Sequence, residues 1–212
     1  LTVLFRFLWV RGWLEEAEHL LGSTLRIVER TPPGDERARL MLQLQARLGR
    51  LIAAQGRQES GVTLAKQALV SAQRIGVYSD IALCASILGK ILTERSQYDI
   101  ASEYFAVALE MYRSGDDERG IADTLANQGW LFGLTSDLQQ AIALCNQGLL
   151  LYRRQGDLSG IARTLNRTGA FRTHLADLDQ AERDYEESLT LAEQIDDRIA
   201  AIQAVGGRGY LA

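Results

Sequence analysis

The sequence predicts an all-α chain, a right-handed α-solenoid built from antiparallel helix pairs. Three observations predict it. Gly49, Gly89, Gly129, Gly169 and Gly209 recur at forty-residue intervals. Small residues (Gly61, Ala101, Ala141, Ala181) and leucines (Leu69, Leu109, Leu149, Leu189) repeat in step with them. The 212 residues hold only 2 Pro, adjacent at Pro32 and Pro33, so almost nothing interrupts helix elsewhere. A fixed period of this length marks a supersecondary unit that buries its apolar face by stacking on copies of itself.

The period divides the chain into a partial repeat at 1–38, repeats at 39–78, 79–118, 119–158 and 159–198, and the start of another at 199–212. The first is irregular. Phe5 stands where glycine is expected, and Thr31-Pro-Pro-Gly-Asp35 inserts a loop. In the repeat at 119–158, Ile121, Leu125 and Phe132 are spaced for one apolar face of a helix running to Leu134. Thr135-Ser-Asp137 makes a turn and offers an N-cap. Leu138, Ala141, Ile142, Cys145, Leu149 and Tyr152 line the second helix, and Gly156 suits a left-handed stop. The repeat at 159–198 follows the same plan.

A glycine inside a helix costs about 1 kcal/mol relative to alanine. Close approach of the second helix offsets that cost, so Gly49, Gly89, Gly129 and Gly169 are read as packing sites facing Ala101, Ala141 and Ala181 and their equivalents. The sequence starts without Met and stops inside a repeat, which leaves Leu1, Leu4, Leu8, Ile199, Ile202 and Val205 without partners in the pattern. The expectation is a segment of a longer protein, with further repeats or another domain covering those residues.

Composition narrows the function. The net charge of −4 argues against direct nucleic-acid binding, which needs a basic face. The apolar opening, Leu1 to Val10, is shorter than the roughly 20 residues of a membrane span and lacks the charge pattern of a signal peptide. Cys84 and Cys145 form no metal or disulfide spacing and read as reduced core residues, in keeping with the cytoplasm. No metal, cofactor or catalytic set is legible. His19 and His174 sit in surface contexts, and Gly89-Lys90 lacks the glycines of a phosphate loop. The chain reads as a non-enzyme.

This pattern resembles the tetratricopeptide repeat (TPR). The small-residue marks fall at Gly89, Ala101 and Ala108, at Gly129, Ala141 and Gly148, and at Gly169, Ala181 and Ser188. The helix-junction residue falls at Tyr98, Leu138 and Leu178. The second-helix aromatic falls at Phe105 and Tyr185, while Ala65 and Cys145 depart from it. The forty-residue period is similar to that of kinesin light chains, Leu-Gly-Asn adaptor proteins, peptide-sensing bacterial regulators and the C-terminal arrays of STAND-class signalling ATPases. The resemblance implies a TPR-like superhelix whose first helices line a concave binding groove.

On that implication, the residue after each repeated glycine points inward: Arg50, Lys90, Trp130 and Ala170. One turn earlier come Ala46, Ser86, Ala126 and Asn166. Trp130, with Gly133, Ala126 and Ala170 around it, has open space and the character of a binding hot spot. The resemblance also implies that Asn127, Arg163 and Arg167 sit where some tetratricopeptide domains grip a C-terminal carboxylate. The expected function is a protein-interaction or ligand-sensing module of a larger bacterial signalling protein, receiving a peptide, a partner protein or another domain of its own chain. The alternative is a structural scaffold, self-associating through its apolar ends or bracing its own chain.

Overall fold

The computed structural model describes Phe5 and residues 13–211. Expectations that fall on Leu1, Leu4 and Leu8 lie outside these residues. Among the described residues there are ten long helices and no strand.

The chain forms two compact units, residues 1–117 and 118–212. The first holds α1 (Leu14–Val28), α2 (Asp35–Ala54), α3 (Gln58–Ile75), α4 (Tyr78–Glu94) and α5 (Tyr98–Ser114). The second holds α6 (Glu118–Leu134), α7 (Leu138–Gln155), α8 (Leu158–His174), α9 (Leu178–Gln194) and α10 (Arg198–Leu211). Helices pair as antiparallel hairpins, α2 with α3 and α4 with α5 in the first unit, α6 with α7 and α8 with α9 in the second. The interruption between α1 and α2 falls at the Pro32-Pro33 loop.

From α2 onward each turn uses one left-handed residue, and these recur every twenty residues: Gly56, Gly76, Ser96, Asp116, Ser136, Gly156, Ala176 and Asp196. Asp137 caps α7 by accepting from the Gln140 N–H at 3.1 Å. Gly156 ends that helix at φ 66°. Ala176, at φ 60°, is the least suited occupant, since a left-handed L-residue costs about 1–2 kcal/mol. Its side chain is exposed, so little packing offsets that cost. Ala176→Gly is expected to raise the unfolding free energy by about 0.5–1 kcal/mol, part of the relief being lost to a freer unfolded chain, as read by urea denaturation.

The hairpins close in two ways. At Gly49 and Gly129 the backbones themselves approach. A Cβ on Gly49 would lie 2.7 Å from the Gly61 carbonyl oxygen and 3.1 Å from the Ala65 nitrogen. One on Gly129 would lie 2.5 Å from the Cys145 sulfur and 2.8 Å from the Ala141 carbonyl oxygen. At Gly89 and Gly169 a ring fills the space instead: Phe105 would be 2.6 Å and Tyr185 2.8 Å from the added Cβ. Ala101 and Ala181 are fully buried in those hairpins, but the atoms against the glycines belong to the rings. The helix partner thus carries either a small residue or an aromatic four positions further on. Ala65 and Cys145 go with backbone approach, Phe105 and Tyr185 with ring stacking.

Candidate functional site

In the first unit the charged residues of the first helices are held in place by one another. Arg50 of α2 forms a two-pronged pair with Glu94 of α4. Asp80, buried at the start of α4, accepts from Arg39 Nε at 2.6 Å and from Gln43 Nε2 at 2.7 Å. Arg47 is buried one turn further along, where loss of water pushes its guanidinium below the usual arginine value, and it donates to the Gln43 carbonyl at 3.1 Å. Arginine stays charged under such shifts, so Arg47 and Asp80 are opposite charges in one dry layer. Lys90 is half-buried on α4, one residue past Gly89. Cys84 is buried on the same helix, and burial pushes its thiol up to about 12. A thiol so shifted is inert at neutral pH.

In the second unit the structure brings Asn127, Trp130 and Arg167 together between α6 and α8, with Arg163 one turn before Arg167 on α8. Trp130 stacks on Phe171 with ring centroids 6.1 Å apart and planes at 28°. The space expected beside Gly133 is therefore occupied: a side chain at residue 133 would overlap the Phe171 ring. Trp130 still keeps 37% of its surface exposed, whereas Phe171 keeps 4%. The Arg167 guanidinium lies over the Trp130 ring, 5.5 Å from its centroid. It donates to the Ala126 carbonyl at 2.8 Å and more weakly to Asn127 Oδ1 at 3.4 Å. Burial lowers its pKa from the ordinary arginine value, and the nearby positive charge of Arg163 acts in the same direction.

Arg163 donates through Nε to the Ser159 carbonyl at 3.2 Å, and Asn127 donates to the Asp123 carbonyl at 2.6 Å. Behind them the buried Tyr152 hydroxyl donates to the Asp123 carboxylate. Burial, reinforced by that carboxylate, holds the phenol well above its usual range. Neither Arg163 nor Arg167 forms an ion pair among the described residues. The Arg167 guanidinium thus lies on the tryptophan without an ion-pair partner, and Arg163 follows one turn earlier on the same helix.

Asn166 is elsewhere. It was expected on the inner face with Ala46, Ser86 and Ala126, but all four are buried. Asn166 donates from Nδ2 to the Ala200 carbonyl at 2.9 Å, tying α8 to α10, while its Oδ1 has no hydrogen-bond partner. Asn166 thus meets the next first helix rather than an open face. A second buried network was not legible in the sequence. Asp184 of α9 accepts from Thr168 at 2.6 Å and from Arg172 of α8. Burial raises its carboxyl above the usual range while both donors act against that rise. No periodic residue type marks this latch, because it occurs in one hairpin only. Among the described residues no group of three or more His, Cys, Asp or Glu side chains could hold a metal ion, and no helix is long and apolar enough to cross a membrane.

No protein-family model matches the sequence, and no curated protein matches it either. Solved structures do match by shape. BtubC (BKLC) from P. vanneervenii superposes with a TM-score of 0.69 at 20% identity, covering 92% of this chain and 79% of that one. The Rap conjugation gene regulator of plasmid pLS20, in complex with the Phr* peptide, gives 0.83 at 14% identity over 94% of this chain and 54% of its own. Bacillus thuringiensis PlcR, in complex with the peptide PapR7 and DNA, gives 0.82 at 14% identity over 95% and 71%. At these identities the likeness shows the fold alone. The chain is an all-helical, tetratricopeptide-like repeat array.

Proposed function

We propose that this chain is a binding module whose first-helix row receives a peptide or protein segment, with Trp130 and the Arg163–Arg167 pair as the contact centre of the second unit. The observation that carries the reading is the half-open Trp130 shelf, backed by Phe171 and edged by the Arg167 guanidinium, which forms no ion pair among the described residues. Exposed tryptophan and arginine on a rigid backing are frequent binding hot spots. Guanidinium groups beside an apolar ring suit a segment that offers carboxylates next to an apolar side chain. Two of the similar structures hold peptides, which supports the same reading. Arg50 and Lys90 are the corresponding candidates in the first unit. We place the module in a larger bacterial signalling or regulatory protein acting in the cytoplasm, an arrangement that the resemblance to STAND-class arrays implies.

The test is a fluorescence-anisotropy titration of a labelled acidic C-terminal peptide. Binding is expected to weaken about tenfold or more in Trp130→Ala and in Arg163→Ala, the range of a hot-spot truncation. Circular dichroism controls for folding. Equal affinities across the wild type and both folded variants would reject the site.

A further inference from the structure

The α8–α9 hairpin closes on charge. On α8, Arg167 and Phe171 lie one turn apart, and both sit on the Trp130 ring, 5.5 Å and 6.1 Å from its centroid. Thr168 and Arg172 each follow them by one residue, about 100° further round the helix. Both donate to one oxygen of α9, Asp184 Oδ2, Thr168 from 2.6 Å. Asp184 is 7% exposed. Two stripes of α8 thus face two neighbours: one is seated on the indole of α6, and the other is tied to α9.

The hairpin design does not require this tie. Forty residues at a time, Arg172 and Asp184 correspond to Phe132 and Leu144, to Leu92 and Tyr104, and to Ile52 and Leu64. Three hairpins of the same plan carry apolar side chains where this one buries an arginine and an aspartate. Burial strips water from both charges, so apolar packing of similar volume is often the more stable choice. What the charged pair adds is direction. Apolar packing tolerates some rotation of a helix, whereas two hydrogen bonds to one oxygen are lost when their angles fail. The indole contact needs such accuracy. A turn of α8 by about 20° moves a side-chain tip about 5–6 Å from the axis by about 2 Å. That is enough to take the Arg167 guanidinium beyond the ~6 Å reach of a cation–π contact.

We infer that Asp184 is a positioning residue for the Trp130 site: by holding Thr168 and Arg172 it sets the rotation of α8, and through α8 it keeps Arg167 and Phe171 on the indole. The inference rests on the reading of Trp130 as the contact centre. Its structural half, the seating of the indole, is measurable with no ligand present.

The experiment labels the full chain with fluorotryptophan and follows the fluorine NMR resonance of Trp130, assigned with Trp130→Phe, in the double variant Arg172→Leu/Asp184→Leu. That variant removes both charges together and installs apolar residues of the kind the other hairpins use. It leaves Thr168 its second bond, to the Leu165 carbonyl at 3.0 Å. Expected are a urea midpoint at or above that of the wild type and a displaced Trp130 resonance. Affinity for the labelled acidic C-terminal peptide should fall about threefold or more, the worth of a cation–π contact. Asp184→Asn keeps an acceptor oxygen for both donors and should leave the resonance close to its wild-type position. An unmoved Trp130 resonance in the folded double variant overturns the inference, as does a displacement in Asp184→Asn as large as in the double variant. So does peptide affinity that the double variant leaves unchanged. A double variant that unfolds well below the wild-type midpoint overturns it too, because the latch would then hold the hairpin together instead of aiming α8. A wild type that binds no peptide rejects the ligand reading alone, and the resonance still decides whether Asp184 seats the indole.

Discussion

Gly129→Leu is expected to lower the unfolding free energy by about 3 kcal/mol, at the upper end of overpacking costs. The reason lies in what the first added carbon meets. It would stand 2.5 Å from the Cys145 sulfur and 2.8 Å from the Ala141 carbonyl oxygen. The second is backbone in the first turn of α7 and has no rotamer by which to retreat. Relief requires α6 and α7 to separate, which uncovers Ala122, Ala126, Leu149 and Tyr152 in the core beside them. The proper comparison is Gly209→Leu, where the same side chain meets open space and helix propensity alone favours it by about 1 kcal/mol. Urea denaturation followed by circular dichroism reads both. Equal midpoints would show that the glycine period has another cause than helix approach.

The part of the fold that was legible is the part where geometry forbids alternatives. No side chain fits at Gly49 or Gly129, so residue identity at those positions is dictated and the period shows in the sequence. The twenty-residue rhythm of the turns was not legible, although it is just as regular. A left-handed turn residue favours glycine by only about 1–2 kcal/mol, and Ser96, Asp116, Ser136, Ala176 and Asp196 accept the cost. A weak preference leaves a broken signal.

The site was half legible for a related reason. Trp130, Asn127, Arg163 and Arg167 could be placed on one side of their helices by register, and the structure sets Arg167 against both Trp130 and Asn127. Register does not say what else arrives there. Phe171 enters from the next first helix because Gly133 leaves space for its ring. Gly133 alone reads equally well as a vacancy. Asn166 shows the converse. Its equivalents Ala46, Ser86 and Ala126 are all small, a sign of a tight helix contact rather than of an open groove. Arg167 is steered by the same tightness. Its donation to the Ala126 carbonyl fixes the guanidinium over the indole, so a ligand would meet a preorganised cation and lose less entropy on binding.

Phe105→Ala should be the most damaging single truncation in the first unit, costing about 3–5 kcal/mol. The ring is 1% exposed and lies against Gly89, with three of its atoms 2.6–2.9 Å from where a Cβ would be. Removing it leaves a void between α4 and α5 that the glycine cannot fill. Gly89→Ala alone is also destabilising, because the added methyl drives into a ring that has no solvent to escape into. The two changes together should cost less than the sum of their separate effects, by about 1–3 kcal/mol. With the ring gone, the methyl occupies part of the void instead of colliding. A double-mutant cycle by urea denaturation measures that coupling directly. Additivity within about 0.5 kcal/mol would mean the ring and the glycine are independent, and the distinction between hairpins closed by backbone and hairpins closed by an aromatic ring would fall with it.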